Sequence, residues 1–307
     1  MARKLIIIAD PGIDGAFALS LALFDPNLDL LGIAATAGNV RAEQATLNVH
    51  AIVEQLDPPR WPRIGAALPV DYDIDGRQLH GPTGLGNAAF QCAKLHHPHS
   101  SDKLIADLVR QHPKEITIVS LGPLTALARA IDRDPEIPAL AQRIICLGGA
   151  WREPGNVNVT AEFHFYCDAP AARQVLRSGA QLLLIPLDVS RRLLLSPAEL
   201  SGLLDSASRT CGMLRKIIPF GLGATSNLYG IEGFHLKDVL GIAALSVPAA
   251  LTTRPAHVDV ETRGELTRGM TVIDTRAGST APNVELAMDV DPMLVRDYLR
   301  RMIAQAA

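Results

Sequence analysis

Several features that would each point to a large class of proteins are missing from this sequence. Aromatic residues make up only 4% of its 307 positions, charged residues 20%, and the formal net charge is −3. Nothing in that balance draws the chain to nucleic acid, and no nucleic-acid partner is expected. No apolar run reaches the ~18 residues of a membrane span. The run Leu5-Ile6-Ile7-Ile8-Ala9 is too short for a signal-peptide core, so no membrane partner is expected and the expected location is cytoplasmic. Four cysteines, Cys92, Cys146, Cys167 and Cys211, lie far apart without a C-x-x-C spacing. They read as reduced thiols, not as a disulfide frame. No G-x-y or heptad repeat and no long polar tract runs through the chain, which excludes collagen-like, coiled-coil and disordered classes. No Gly-x-Gly-x-x-Gly follows the first apolar run, and neither a P-loop nor a Gly-x-Ser-x-Gly elbow occurs. Dinucleotide, P-loop and serine-hydrolase readings are therefore poor.

What the sequence does have is aliphatic mass, 48% hydrophobic residues, distributed in a regular alternation. Short runs rich in Ile, Leu and Val at 4–9, 29–34, 115–120, 143–147 and 181–186 are apolar on both faces, as strands covered on both sides by helices must be. Between them, 16–23, 42–55, 101–111, 124–131 and 170–178 carry helical patterns, the last closed by Ser178-Gly179. This order predicts an α/β fold with a mostly parallel central sheet flanked by helices. The last third changes texture. Segments 196–204, 209–218 and 237–244 read as helices, making a helical C-terminal part, and 258–262 with 270–274 as a small antiparallel strand pair. No linker composition divides the chain, so one domain over 1–307 is expected. The Pro-, Gly- and His-containing stretch 59–98 is the most loop-like and a candidate binding loop or lid.

In open parallel sheets, ligands bind beyond the carboxyl ends of the strands, and here those ends share a chemistry. Strand one ends in Asp10-Pro11-Gly12-Ile13-Asp14-Gly15, the second in Thr36-Ala37-Gly38-Asn39, the third in Ser120-Leu121-Gly122-Pro123-Leu124-Thr125. The fourth ends in Gly148-Gly149-Ala150-Trp151, followed by Gly155-Asn156 and Glu162-Phe163-His164. Each piece alone is ordinary turn or helix-start chemistry. Their coincidence at one rim, small residues beside Asp, Asn or Glu, is what points to a site.

Taken in order, Asp10-Pro11-Gly12-Ile13-Asp14, Gly38-Asn39-Val40, His80-Gly81-x-x-Gly84-Leu85-Gly86, Leu121-Gly122-Pro123-Leu124-Thr125, Gly148-Gly149, Gly155-Asn156, Ala161-Glu162-Phe163 and Leu266-Thr267-Arg268-Gly269 resemble the inosine–uridine preferring nucleoside hydrolases, from Leu5 to about Asp274. The resemblance implies a Rossmann-like nucleoside hydrolase fold and cleavage of the N-glycosidic bond of ribonucleosides to ribose and free base. It also implies a calcium ion at the site, and a homodimer or homotetramer, with which the apolar tail 302–307 is compatible. A hard cation takes six to eight oxygens, which carboxylates and a carbonyl on adjacent strand ends suit. By resemblance Asp10 would be the base and a metal ligand, Leu121 would offer its carbonyl and Asp238 a carboxylate. Asp14, Asn39, Asn156 and Glu162 would bind the ribose, and His80 would lie in a mobile loop over the base.

The chain also departs from the family's Asp-x-Asp-Pro-Gly-x-Asp-Asp opening: Ile8 and Gly15 replace two aspartates, the second of them a calcium ligand. His164 stands where the family usually has an Asn on the ribose. Lys237 precedes Asp238 at a position where many members carry a His near the leaving base. Losing an anion and gaining a cation weakens calcium binding. The Lys237 ammonium could itself take part of the metal's place, paired with Asp10 and Asp238, or it could point to solvent. The expectation is therefore an N-ribosyl hydrolase acting on a nucleoside or other N-riboside, with Asp10 and Lys237 as catalytic candidates, Asp14, Asn39, His80, Asn156, Glu162, His164 and Asp238 around the substrate, and a weakened or absent calcium at Asp10, Leu121 and Asp238. The alternative is a metal-poor ribosyl-ligand binder on the same scaffold.

Overall fold

The computed structural model describes residues 2–92, 99–274, 276 and 280–306; part of the expected loop 59–98 and the last residue of the tail 302–307 lie outside them. The strands are β1 (Arg3–Ala9), β2 (Leu28–Ala35), β3 (Arg63–Gly65), β4 (Ile116–Ser120), β5 (Arg143–Leu147), β6 (Leu182–Ile185), β7 (Leu194–Leu195), β8 (Phe234–His235), β9 (Leu251–Val260), β10 (Thr271–Asp274) and β11 (Val284–Val290). Nine of them form one sheet in the order β10-β9-β11-β6-β5-β4-β1-β2-β3, and β7 pairs with β8 apart from it. From β3 to β11 every neighbouring pair runs parallel, and β9 and β10 add an antiparallel edge.

Alternation along β1 shows why its sequence is apolar at every position. Leu5, Ile7 and Ala9 enter one core layer while Ile6 and Ile8 enter the other, and all five are essentially unexposed. Helices cover both faces. The helix Ile13–Phe24, apolar all round, is sandwiched by Arg209–Tyr229, Val239–Ser246 and Pro292–Gln305. On the other face Ser101–Gln111, Thr125–Arg133 and Ala169–Leu176 pack side by side.

The expected strands and helices of the first two thirds form within a few residues of their expected bounds. Three features differ in the last third. The helix expected to stop at residue 218 runs through Pro219 to Tyr229, because packing on both sides outweighs one lost backbone hydrogen bond. The expected antiparallel pair forms, with Thr271 opposite Val260, as the edge of the main sheet. A further strand, β11, inserts between β6 and β9. The tail is not a free apolar surface: Met302, Ile303 and Ala306 are buried in the chain's own core.

Candidate active site

From β1 the chain passes outward to β2 and β3, then returns across to β4 on the other side of β1. That reversal opens a crevice beyond the carboxyl end of β1, where ligands of such sheets bind. Asp10 is the first residue past β1, 1% exposed. Its neighbours are fixed by the sheet itself: the Thr36 N–H donates to the Ala9 carbonyl and the Leu121 N–H to the Ile8 carbonyl, each 2.8–2.9 Å. The chain past β2 and β4 therefore closes on Asp10 from both sides. Gly38 and Gly122 make this possible. A Cβ at Gly38 would collide with Asp10 Oδ2, and one at Gly122 would lie 2.6 Å from Oδ1.

Asp10 Oδ2 accepts the Asn39 N–H at 2.8 Å, and the Asn39 amide donates to the Asp10 carbonyl at 2.9 Å. Asn39 thus clamps Asp10 as well as facing the cavity. Burial pushes the Asp10 carboxyl up to about 7, with nearby Asp14 adding to the rise and His164 opposing it. Asp238, 5% exposed, is driven well above the ordinary carboxylate range by burial, then by Asp14 and Asp10, with Lys237 opposing.

His164 faces the site. Its Nε2 lies 3.9 Å from Asp10 Oδ1 and its Nδ1 3.5 Å from Glu162 Oε1. Glu162 itself is largely structural: one carboxylate oxygen accepts from the N–H groups of Gly149, His164 and Phe165, capping the short helix Phe163–Cys167. Its other oxygen is the one turned to His164. Asn156 is exposed and its Oδ1 accepts from the Phe163 N–H at 2.8 Å. The Asn156 loop is held by Asp188, whose carboxylate accepts from Trp151, Arg152 and Glu153 N–H groups.

His80 is placed differently from the expectation of a side chain on a mobile loop. It ends a short helix, Arg77–His80, is 4% exposed, and accepts the Ile13 N–H on Nδ1 at 3.0 Å. Asp14 lies 3.9 Å from the same nitrogen. Burial lowers the ring to about 4, so it stays neutral and acts as a strut between the loop and the Asp10–Asp14 turn.

Asp14, Asn39, His80, Asn156, His164, Lys237 and Asp238 all line one cavity of about 820 Å³, with Asp10 beneath it. An adjoining cavity of about 640 Å³ shares Asp14, Leu79, Asn156, Val157, Tyr229 and Lys237 and is otherwise lined mainly by apolar side chains, including Phe234, Ile231 and Leu187. Lys237 neither points away to solvent nor pairs with Asp10 or Asp238. It is half-buried on the wall common to both cavities, and among the described residues its ammonium makes no hydrogen bond or ion pair.

The sequence reading missed a set of residues that fix the cover. Tyr72 hydroxyl meets Thr125 Oγ1 at 2.5 Å, and Thr125 donates to Asp168 at 2.6 Å. Arg268 donates to both oxygens of Asp73 at 2.7–2.8 Å and stacks over Tyr166. The Gly76 N–H donates to the Asn39 carbonyl at 3.0 Å, drawing the same segment down over the site. Arg268 belongs to a motif quoted above, but its partner lies 195 positions away, beyond any local signal.

The donor set can be weighed against calcium. Of the ligands the family resemblance implies, Asp10 and Asp238 are buried at the site, and with the Leu121 carbonyl they would make three donor groups, whereas a calcium ion takes six to eight oxygens. At position 15 a side chain would begin 3.1 Å from Asp238 Oδ2, and Gly15 supplies none. Among the described residues no group of three His, Cys, Asp or Glu side chains is placed to hold a metal ion. These donors do not fit a tightly held calcium.

A family model described as inosine-uridine preferring nucleoside hydrolase matches residues 5–297. The chain is 33% identical over 309 residues to a pyrimidine-specific ribonucleoside hydrolase of Klebsiella pneumoniae, covering 99% of each. It is 32% identical over 311 residues to a non-specific ribonucleoside hydrolase of Escherichia coli, covering 100% of each. Among solved structures, a purine-preferring ribonucleoside hydrolase from Gardnerella vaginalis superposes with a TM-score of 0.91 at 30% identity, covering 99% of both chains. A plant nucleoside hydrolase superposes at 0.90 with 29% identity and the same coverage.

Proposed function

The chain belongs to the inosine-uridine preferring nucleoside hydrolases, and from that premise we propose that it cleaves the N-glycosidic bond of ribonucleosides, giving ribose and free base. The observation that carries the reading is Asp10: a buried carboxylate at the sheet's switch point, clamped by Asn39 on one oxygen and with His164 3.9 Å from the other. A general base works best when its pKa lies near the working pH, and burial holds this one at about 7.

Water placed at Asp10 attacks the anomeric carbon of the ribose, and Asp10 takes its proton. The bond to the base breaks with its electron pair going to the base. As the sugar acquires oxocarbenium character, the carboxylates at Asp14 and Glu162 offset the developing positive charge at short range in a site of low polarity. His164, between Asp10 and Glu162, orients the base and is in reach of a ribose hydroxyl. Calcium would polarise a bound water in relatives that hold it. Here the donors fall short, calcium binding is weak, and no step above depends on it.

Base preference is left to the walls. The relatives' names span pyrimidine-specific, non-specific and purine-preferring enzymes, so family membership does not select one. The test is ribose release from a panel of purine and pyrimidine ribonucleosides, run after chelation and again with millimolar calcium. Release of ribose and base in equal amounts is expected. Binding without release on every substrate would favour a ribosyl-ligand binder and overturn the reading.

A further inference from the structure

The site gathers four carboxylates, Asp10, Asp14, Glu162 and Asp238, each 5% exposed or less. Buried carboxylates need positive charge or hydrogen bonds nearby. Backbone N–H groups serve Glu162 and one oxygen of Asp10, with His164 beside both; a divalent ion, the usual further source of charge, finds too few donors here, which turns attention to the chain's own cations. The two cavities have three basic side chains among their described linings that carry a fixed charge. Arg77 is spent on Asp75, and Arg191 on the carbonyls of Pro154 and Gly155. Lys237 has no hydrogen-bond or ion-pair partner among the described residues. His80 and His235, on either side of it, are both held neutral by burial. The one uncommitted ammonium among these described residues therefore stands on the wall between the carboxylate floor and the apolar annex. Gly15, by lacking a side chain next to Asp238, leaves room on that side.

We infer that Lys237 is the resident cation of this site: its ammonium holds a ribosyl ligand against Asp14 and Asp238, so that binding needs no divalent ion. The inference rests on the nucleoside hydrolase reading for the kind of ligand. A lysine suits this use, since its compact charge rides on a flexible four-carbon stem and can follow a ligand into place. Its charge also works against a second cation at Asp238, since like charges repel in a poorly screened site.

The experiment is calorimetric titration with a C-nucleoside, whose carbon–carbon glycosidic bond the enzyme cannot break, so the result does not depend on turnover. In chelator, wild type binds, and millimolar calcium changes the affinity less than about twofold. K237M, similar in length but uncharged, weakens binding by ~10-fold or more, the loss expected of a charge-assisted hydrogen bond. K237R keeps most of it. Thermal melts check that each variant is folded. Titration of calcium alone gives no binding heat with wild type, and does so with the G15D/K237M double variant, which restores an acid beside Asp238 and removes the cation. Wild-type binding that requires calcium, or K237M binding as tightly as wild type, overturns the inference. A protein that binds the C-nucleoside through Lys237 but releases no ribose from any nucleoside would sink the hydrolase reading and leave this inference standing.

Discussion

Replacing Asp10 with Asn should raise stability and abolish most activity, with a pH signature that ties both to one proton. In the folded protein the carboxyl titrates at about 7, against an ordinary value of 3.8. Between those values the folded state keeps a proton that the unfolded chain gives up. Stability is therefore greatest below 3.8 and falls as pH rises to 7, then levels off. Three pKa units correspond to ~4 kcal/mol at most. Asn keeps the shape and can still accept the Asn39 N–H, but carries no charge to bury. The stability gained by D10N should thus grow from pH 4.5 to 8 by up to ~3 kcal/mol, read from denaturant melts in chelator. Over the same range kcat should fall by ~10²–10⁴, the usual loss on removing a general base. A stability difference that stays flat with pH would refute the buried-charge argument. Activity within about tenfold of wild type would refute the role of Asp10 as base.

His80 predicts an opposite slope. Its ring is held at about 4 against 6.5, so stability is lost as pH falls from 6.5 through 4, by up to ~3 kcal/mol, and the pH-dependent melts of H80Q should be flatter by that amount. G38A should push a methyl group into Asp10 Oδ2 and cost ~10²-fold in kcat/KM by displacing the carboxylate, while its stability in denaturant melts falls only by the ~1–3 kcal/mol of a local overpacking. Tyr298, whose hydroxyl donates to Asp25 at 2.8 Å, ties the last helix to the end of Ile13–Phe24; Y298F should destabilise by ~1.5–3 kcal/mol in urea melts and leave kcat/KM unchanged.

Particular residues show what could be read from sequence. β1 was legible because five successive aliphatic residues need cover on both sides, and the residue that follows such a strand in a parallel sheet faces the ligand; Asp10 follows from that alone. Asn39 and Gly122 follow from the same rule at β2 and β4. The family resemblance added roles, and two of those residues carry structural contacts that it did not imply. Glu162 spends an oxygen as a helix cap, and His80 is a buried strut, because local backbone donors at 13, 149, 164 and 165 bid for the same groups as a ligand would. β11 escaped because Val284–Val290 mixes charged and apolar residues and its placement depends on β6 and β9, not on its neighbours in sequence. The latch of Tyr72, Thr125 and Asp168 and the Asp73–Arg268 pair escaped for the same reason: each joins loops far apart in the chain.

The insertion of β11 between β6 and β9 sets an order on synthesis. The sheet from β3 to β6 can pair as it emerges, but β6 has an open edge until residues 284–290 clear the ribosome, and β9, made earlier, cannot join the main sheet without them. The helix Ile13–Phe24 waits as well, since the last helix, Pro292–Gln305, packs against it. From the completion of β6 until β11 and the last helix arrive, the nascent chain thus carries a bare strand edge and an incompletely covered aliphatic helix, both invitations to aggregation. Holding β6 available until the end of the chain arrives is a task suited to a chaperone, and a stop codon placed before residue 284 should leave a species that chaperones retain and proteases clear.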